Sequence, residues 1–300
     1  MPSRRAVLVG SVGVLAAGAV GAAAGVYEGV LPGRPQLQDL LGLNGEAGRV
    51  PDVAPADVEV GSFVSGRRGG VETGFTVVSP LGAAAGLPVV VALHGRGSDH
   101  RSLVGPRFRI ERFLQDHVDR GGTPFAIATV DGGQSYWHER PSGEDAGAMV
   151  VEEFLPLLAE RGLRAGPTDR IGLLGWSMGG YGALRLAGQL GPGRVAAVCA
   201  VSPAMWDDPG DASRSGFADA AEYERFTVQG RQEDLDGIPV RVDCGTGDRF
   251  YRAVEGYVDD FPSAAEVIST FEPGAHDPDY WRRMIPSELD FLGEHLSGQG

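Results

Sequence analysis

A serine at position 177 stands between two glycines, at the point where an apolar run gives way to a helix-forming one. Residues 171–184 read IGLLGWSMGGYGAL, so Gly175 and Gly179 flank Ser177 at equal spacing. A serine hydroxyl is a good nucleophile only when a neighbouring base takes its proton. The pattern predicts either a tight glycine turn without chemistry or a turn that presents Ser177 as a nucleophile.

The base for such a serine is sought among the histidines that follow it. His276 and His295 lie downstream of Ser177. His295 falls in FLGEHLSGQG at the end of the sequence, which is typical of a solvated helix terminus. His276 lies in a loop between Gly274 and Asp277, before a predicted helix. We expect His276 to be the general base, the alternative being a histidine of a surface loop.

An acid that orients the histidine is expected between the serine and the histidine. Asp248 follows a predicted strand and a Gly-Thr-Gly turn, from which a loop can aim it at His276. Asp243 lies inside the strand pattern and is more typical of a structural residue. Asp259 and Asp260 follow a predicted helix, and we expect both side chains to face solvent. We therefore expect Asp248 to hold His276 in one tautomer and to stabilise the imidazolium.

These residues require a scaffold of alternating strands and helices. The runs VEVGSFVS and VETGFTVVSP, separated by GRRGG, predict an N-terminal β-hairpin. Continuous apolar runs such as LPVVVAL and PFAIATV then alternate with amphipathic helical segments, which predicts an α/β fold with a mostly parallel central sheet and helices on both faces. Functional groups in such sheets collect at the carboxyl ends of the strands. His94, Asp131, Ser177 and Asp248 all follow predicted strands.

The strand–turn–helix context gives G-x-S-x-G a more specific meaning. In that context the pattern is the nucleophile elbow of the α/β-hydrolase fold, whose acid and histidine follow the serine in that order. The backbone N–H of Met178 would then start a helix and point at developing negative charge. A second such N–H is expected from Arg96, in the loop after VVVALHG. His94 precedes the nucleophile and is more typical of a structural residue.

Composition bounds the class of partner. The chain has 300 residues and a formal net charge of −14, which argues against nucleic acid and anionic membrane surfaces as main partners because both would be repelled. The two cysteines, Cys199 and Cys244, form no CxxC or Cys/His cluster, so we expect neither a metal site nor a cofactor. Two small buried residues are the first interpretation, and a disulfide is the alternative.

The N-terminal residues predict export. Arg4 and Arg5 precede an uncharged Gly/Ala-rich run to Val26, which is typical of a twin-arginine signal, and Ala22 and Ala24 suit a signal peptidase. An uncleaved membrane anchor is the alternative. The predicted organisation is a signal or anchor over residues 1–30, a linker or surface arm over 31–56 with a short helical segment at 37–41, and a catalytic domain over 57–300.

Over residues 57–295 the chain resembles the esterase D-like branch of the α/β-hydrolases, which includes S-formylglutathione hydrolases, feruloyl and acetyl esterases and secreted mycolyltransferases of actinobacteria. LHGRG, GWSMGGYGALRLA, DCGTGD and GAHDPDYWRRMIPSELDFL carry the resemblance. It supports Arg96 as an oxyanion donor. It also implies that the DGGQSYWHER loop borders the active site. The candidate pocket residues are Tyr136, Trp137, His138 and Trp176, and for the first three the alternative is that their rings only pack a long loop.

Together these features predict an exported serine esterase that acts through an acyl-enzyme on a small-molecule, lipid or sugar ester. Membrane contact is expected only through an uncleaved N-terminal segment. Two alternatives stay open. One is acyl transfer to a sugar hydroxyl, although mycolyltransferases usually carry an aspartate where His94 stands and a glutamate as the acid. The other is a non-catalytic cell-wall binding module on the same fold.

Overall fold

The computed structural model describes residues 33–297, which are built around one eight-stranded sheet. The strand order is β1-β2-β4-β3-β5-β6-β7-β8. The first two strands form the N-terminal hairpin and the other six carry the parallel part of the sheet. The strands are β1 (Asp57–Ser65), β2 (Val71–Ser79), β3 (Val89–Leu93), β4 (Ala126–Val130), β5 (Ile171–Trp176), β6 (Val195–Val201), β7 (Val240–Gly245) and β8 (Val267–Glu272).

Helices occupy the connections between the parallel strands and both ends of the described chain. Short 3-10 turns lie at Pro209–Asp211 and Gln232–Leu235. The α-helices are α1 (Arg34–Leu40), α2 (Ile110–Asp119), α3 (Ala146–Met149), α4 (Leu155–Glu160), α5 (Met178–Leu190), α6 (Ala220–Phe226), α7 (Tyr251–Asp259) and α8 (Pro278–Ser297).

The predicted α/β architecture is confirmed. Strands β3 to β8 pair in parallel, whereas β1 pairs with β2 and β2 with β4 in antiparallel fashion. Strands β3 to β7 are buried at every position, because helices cover both faces of the sheet. One apolar cluster lies beneath α2 and α8, and a larger one lies beneath α3 to α7 on the other face. The carboxyl ends of these strands form one edge, which we call the catalytic edge.

Two elements differ from the sequence pattern. The segment VISTFE reads as a short apolar stretch, but it forms β8, a partly exposed edge strand paired only with β7. The amphipathic run at residues 147–163, which is closed by Gly162, predicts a single helix, but the segment contains a π-helical turn at Val150–Phe154. Pro156 accounts for this turn, because it has no N–H to donate to the carbonyl of residue 152 and the helix widens around the missing bond.

The arm at residues 33–56 packs against the helix that closes the described chain. Its helix α1 begins at Arg34, before the expected segment 37–41. Further on, the Gly48 N–H donates to the Asp279 carbonyl at 2.8 Å, and the Gly48 carbonyl accepts from Arg282 Nε at 2.9 Å. These bonds fix the arm to the start of α8. The predicted signal over residues 1–30 lies outside the described residues.

Cys199 and Cys244 lie on the neighbouring strands β6 and β7, and both are free and buried. Cys199 faces the cluster under α8 and Cys244 faces the cluster on the opposite side of the sheet. A disulfide between them is excluded in this fold, because side chains that point to opposite faces cannot bring their sulfurs together. Within residues 33–297, no helix has the length and apolar character that a membrane crossing requires.

Candidate active site

Ser177 occupies a sharp turn between β5 and α5. Strand β5 ends at Trp176 and helix α5 begins at Met178, so one residue makes the whole connection. The Ser177 backbone has φ 57° and ψ −120°, a region that non-glycine residues rarely adopt. Its N–H donates to the Val201 carbonyl on β6 at 2.9 Å, which fastens the turn to the catalytic edge. The serine therefore sits on a strained but well-anchored backbone.

The two glycines of the motif allow this turn because no side chain fits at either position. A Cβ on Gly175 would lie 2.1 Å from the Gly179 carbonyl oxygen. A Cβ on Gly179 would lie 1.9 Å from the Leu93 carbonyl oxygen on β3. Both contacts are with backbone, which cannot move aside as a flexible side chain would. The spacing of the glycines is thus a packing requirement of the elbow.

The structure brings Ser177, His276 and Asp248 into one hydrogen-bonded chain. His276 Nε2 is 2.9 Å from Ser177 Oγ, and His276 Nδ1 is 2.7 Å from Asp248 Oδ2. A serine hydroxyl that donates to Nε2 and an Nδ1–H that donates to the carboxylate form the arrangement of a nucleophile, a base and an orienting acid. The Asp248 side chain is fully buried, and its other oxygen accepts the Phe250 N–H at 2.9 Å.

The loops that carry the acid and the histidine are tied to each other. The Gly247 N–H donates to the Gly274 carbonyl at 2.8 Å, which joins the loop after β7 to the loop after β8. The imidazole of His276 is held between two rings. Phe250 and Trp281 meet it edge-on, with ring centroids 5.2 and 5.1 Å away. These contacts limit the rotation of the His276 side chain.

Comparison with known families decides the class of the protein. The family model described as "Putative esterase" matches residues 70–292, which is most of the chain. The chain belongs to the Esterase family. This esterase is accordingly a carboxylic ester hydrolase with the α/β-hydrolase fold.

Solved structures with the same fold include several esterases. A ferulic acid esterase is 22% identical, with a TM-score of 0.65, and the match covers 81% of this chain and 100% of that one. An S-formylglutathione hydrolase from Agrobacterium tumefaciens is 19% identical, with a TM-score of 0.64 and coverage of 84% and 100%. The ferulic acid esterase of Anaeromyces mucronatus is 18% identical, with a TM-score of 0.65 and coverage of 84% and 96%. No curated protein matches the chain.

The other candidate acids and the second histidine of the esterase lie away from Ser177. Asp243 is buried within β7 and accepts Arg241 Nε at 2.8 Å. Asp259 and Asp260 are exposed at the end of α7. His295 lies near the end of α8, where its Nε2 is 3.6 Å from Glu266 Oε1. None of these groups has a hydrogen bond to Ser177 or His276.

The backbone N–H groups of Met178 and Arg96 are the predicted oxyanion donors of the esterase. Met178 is the first residue of α5, so its N–H has no partner within the helix. Arg96 lies on the loop after β3, and this loop lines the cavity that contains Ser177.

His94 fixes the base of that loop. Its Nε2 accepts the Gly132 N–H at 3.0 Å, and its Nδ1 lies 2.8 Å from the Gly95 carbonyl. Burial lowers the pKa of His94, so the ring is neutral and structural.

A cavity of about 160 Å³ opens beside Ser177 and His276. Trp176 lies in its wall, as expected for a pocket residue. Phe108 meets the Trp176 ring edge-on at 5.2 Å and stacks on Trp281 at 5.8 Å, so one side of the cavity is aromatic. Leu103, on the same loop as Phe108, also lines it. This wall suits an apolar acyl group.

Three predicted pocket residues lie elsewhere, and the expectation for them is corrected. Tyr136, Trp137 and His138 are 2%, 0% and 0% exposed, and none of them lines the cavity at Ser177. The His138 ring is stacked between Phe217 and Phe226, with centroids 5.0 and 4.2 Å away. Their rings are packed in the core because partners on α5, on α6 and in the loop at Phe217 are available to them.

Phe108, Trp281 and Arg249 contribute to the cavity without having been singled out in the sequence. For two of them, closeness in the sequence to a predicted catalytic residue could have indicated the role. Trp281 stands five residues after His276, and Arg249 directly follows Asp248. Phe108 gave no such signal, because it comes from a long loop whose path depends on tertiary packing. Among residues 33–297, no three His, Cys, Asp or Glu side chains cluster as a metal ion would require.

Proposed function

We propose that the protein is a serine esterase that works through an acyl-enzyme on Ser177. Ser177 Oγ attacks the ester carbonyl carbon while its proton passes to His276 Nε2. The C–O bond to the alcohol then breaks, and the imidazolium returns the proton to the departing alkoxide oxygen. Asp248 accepts the Nδ1–H throughout and stabilises the imidazolium without taking its proton. The acyl group remains on Ser177 as an ester.

Water completes the cycle by the same steps in reverse. His276 takes a proton from water, the hydroxide adds to the acyl carbon, and Ser177 Oγ leaves with that proton. In both halves a negative oxygen forms on the acyl carbon. The N–H groups of Met178 and Arg96 are the proposed donors to that oxygen, and one such donor typically contributes about 10²–10³ in rate.

The observation that carries the proposal is the Asp248–His276–Ser177 chain of hydrogen bonds. Its members come from three separate loops of the catalytic edge, and Ser177 and His276 are 99 residues apart. A chance meeting of a strained serine, a histidine and a buried carboxylate in this order is improbable, since each group needs its own loop geometry.

The test is hydrolysis of a p-nitrophenyl ester by the wild type and by Ser177→Ala. The wild type should show a burst of nitrophenolate equal to the enzyme concentration when deacylation is slow, and the variant should show neither burst nor turnover above the buffer rate. Ser202→Ala is the matched control, since Ser202 also follows a buried strand and has a positive φ of 46°. It should lose no more than about threefold to fivefold, because the only contact of the site that it removes is the hydrogen bond that Ser202 Oγ accepts from Trp281 Nε1. Equal rates for the wild type and Ser177→Ala would refute the proposal.

The same experiment with an added sugar acceptor addresses acyl transfer. An alcohol can replace water in the second half-reaction without any other change in the site. Hydrolysis predicts that the free acid is the main product at all acceptor concentrations. Diversion of the acyl group to the acceptor would instead make the protein an acyltransferase.

We further propose that the protein is exported by the twin-arginine route. The support is the pair Arg4 and Arg5 before an uncharged apolar run. Replacement of both arginines by lysine should leave the protein inside the cell, whereas Arg34→Lys should not change its location. Export of the double variant at the normal level would refute the route. The mass of the exported chain distinguishes a cleaved signal from a retained anchor.

A further inference from the structure

Two arginines stand beside the nucleophile without a carboxylate partner. Arg96 and Arg249 line the same cavity as Ser177, one from the loop after β3 and the other from the loop after β7. Both are exposed, and neither has a carboxylate oxygen within 4.0 Å among the described residues. The Arg249 guanidinium lies over the Phe250 ring at 4.7 Å, and the Arg96 guanidinium lies close to the Tyr136 hydroxyl.

Arginine–carboxylate pairs are common in this protein, which has 40 acidic and 26 basic residues. At least twelve arginines in the described part of the chain have a carboxylate within 4.0 Å. Arg101 and Arg107, which also lack one, lie on the loop that supplies Leu103 and Phe108 to the cavity.

Other arginines without a carboxylate partner, such as Arg170, Arg185 and Arg194, donate to backbone carbonyls instead. Arg96 and Arg249 differ from these three because they are exposed and line the cavity at Ser177.

We propose that the active site takes esters that carry an anionic group, such as a carboxylate, within reach of Arg96 and Arg249. This inference rests on the proposed function, because it places the ester carbonyl at Ser177. A guanidinium presents parallel N–H donors that match a carboxylate or phosphate in two-point geometry. The aromatic wall of the cavity contacts the neutral part of the substrate, and the arginines contact its charge.

The position of Arg249 gives it the larger share of this recognition. It lines the inner cavity with Ser177 and also a second cavity of about 350 Å³, which includes His276 and the arm residues Pro35, Gln36 and Asp39. His276 hands its proton to the leaving alcohol, so the alcohol portion passes this side of the site. Arg249 can therefore contact an anion on either portion of the ester.

Asp39 is the carboxylate that opposes this effect. It lies in the wall of the second cavity with Arg249, more than 4.0 Å from the guanidinium nitrogens. Its charge reduces the local positive potential without neutralising Arg249. Removal of the Asp39 charge should therefore increase the preference for anionic esters, whereas removal of the Arg249 charge should decrease it. Opposite effects of two neighbouring variants distinguish electrostatics from a general disturbance of the site.

The test uses two pairs of esters that differ in charge but little in size. The first pair, 4-methylphenyl acetate and 4-(acetoxy)phenylacetate, places the charge on the alcohol portion. The second pair, p-nitrophenyl valerate and mono-p-nitrophenyl glutarate, places it on the acyl portion. We expect kcat/KM for the anionic member of at least one pair to exceed that of its neutral partner by about tenfold, the size of one exposed charge-assisted contact. A ratio of one or less in both pairs overturns the inference.

Variants then assign the preference to the arginines. Arg249→Gln should reduce the anionic-to-neutral ratio by about three- to tenfold, Arg249→Lys should restore part of it, and Asp39→Asn should raise it. Arg49→Gln is the matched control, because Arg49 is exposed but lines neither cavity. An equal change for Arg249→Gln and Arg49→Gln would show that only the net charge acts and would contradict the proposal.

The direction in which salt changes kcat/KM for the anionic esters is a further test. The net charge of −14 alone would repel an anionic ester, so that screening would increase kcat/KM. Local attraction by the arginines predicts the reverse, a decrease between about 50 and 500 mM sodium chloride with little change for the neutral partner. Turnover of the neutral esters, absent in Ser177→Ala, verifies the proposed function separately. If that turnover is present and salt increases the anionic rate, the function stands and this inference fails.

Discussion

The elbow at Ser177 and the loop at residues 132–138 begin alike and end differently. Each follows a fully buried parallel strand, and each holds non-glycine residues at positive φ: 57° at Ser177, 56° at Tyr136 and 59° at Trp137. The elbow presents its residue to the cavity with His276. The loop turns its aromatic residues into the core. Positive φ at the catalytic edge is therefore not by itself a sign of chemistry.

The difference comes from what each segment contacts. The elbow is one residue long, and the backbone of Leu93 and Gly179 surrounds it closely, so Ser177 has one direction in which to point. The longer loop carries large rings, whose burial stabilises the fold by about 1.5–3 kcal/mol each. Trp137 meets His94 edge-on at 5.1 Å and is fully buried. The loop thus supports the site from beneath.

Among substitutions in the elbow and the loop that leave the three catalytic groups in place, Gly179→Ala should have the largest effect on activity. A Cβ there would meet the Leu93 carbonyl oxygen, so either β3 or the turn must shift. A displacement of the nucleophile by about 1 Å lowers the rate by about 10². We therefore expect kcat/KM of the folded fraction of the variant to fall at least that far. Gly193→Ala is the control, since a Cβ there would meet nothing within 4 Å. Full activity in folded Gly179→Ala would contradict the packing account.

Trp137→Ala should affect stability far more than chemistry. The lost ring leaves a cavity in the core, which typically costs about 3–5 kcal/mol in the free energy of unfolding. Below the unfolding transition, kcat/KM should stay within a few-fold of the wild type, because the ring does not line the cavity at Ser177. Denaturant unfolding and steady-state kinetics on the same sample measure the two effects. A loss of activity without a loss of stability would place Trp137 in the site after all.

His138, in the loop at residues 132–138, should make the free energy of unfolding decrease at acid pH. Burial lowers the pKa of His138 to about 4, so the unfolded chain takes up the proton first as the pH falls. The associated loss of stability begins near pH 6.5 and is complete below about pH 4, where it reaches about 3 kcal/mol. His138→Phe should reduce the pH dependence of the unfolding free energy in this window. Identical slopes for the two proteins would show that His138 does not titrate in this way.

Trp281→Phe should lower activity the least among the substitutions close to Ser177 and His276. Phenylalanine keeps a ring against His276 but loses the indole N–H that donates to Ser202 Oγ at 3.1 Å. The loss of one such bond costs about 1 kcal/mol, so kcat/KM should fall by about threefold to fivefold. Trp281→Ala removes the ring as well and should lower kcat further. Equal kcat values for the two variants would mean that the ring does not hold His276.

The parts of the site that the sequence predicts are those that local backbone rules determine. Gly175 and Gly179 stand at a fixed spacing, and Asp248 and His276 follow in chain order. The Asp–His–Ser geometry results because Ser177, Asp248 and His276 each lie in the connection that follows a different strand of the sheet.

The same rules predict no more for the arm than a linker or a segment on the surface. In the structure, the buried Gln38 side chain of the arm packs against Gly247, in the loop that carries Asp248. Such contacts depend on tertiary packing, and so does the burial of Tyr136, Trp137 and His138. The local sequence pattern therefore predicts neither.

The most direct test of the proposed mechanism compares two buried aspartates at the end of β7. Asp248→Asn keeps the shape of the side chain but can no longer fix the tautomer of His276, so kcat should fall by about 10⁴ with little change in the unfolding free energy. Asp243→Asn should lower stability, because it breaks the pair with Arg241, while the folded protein keeps kcat within a few-fold of the wild type. An Asp248→Asn enzyme with near-normal kcat, or an equal loss in both variants, would contradict the account.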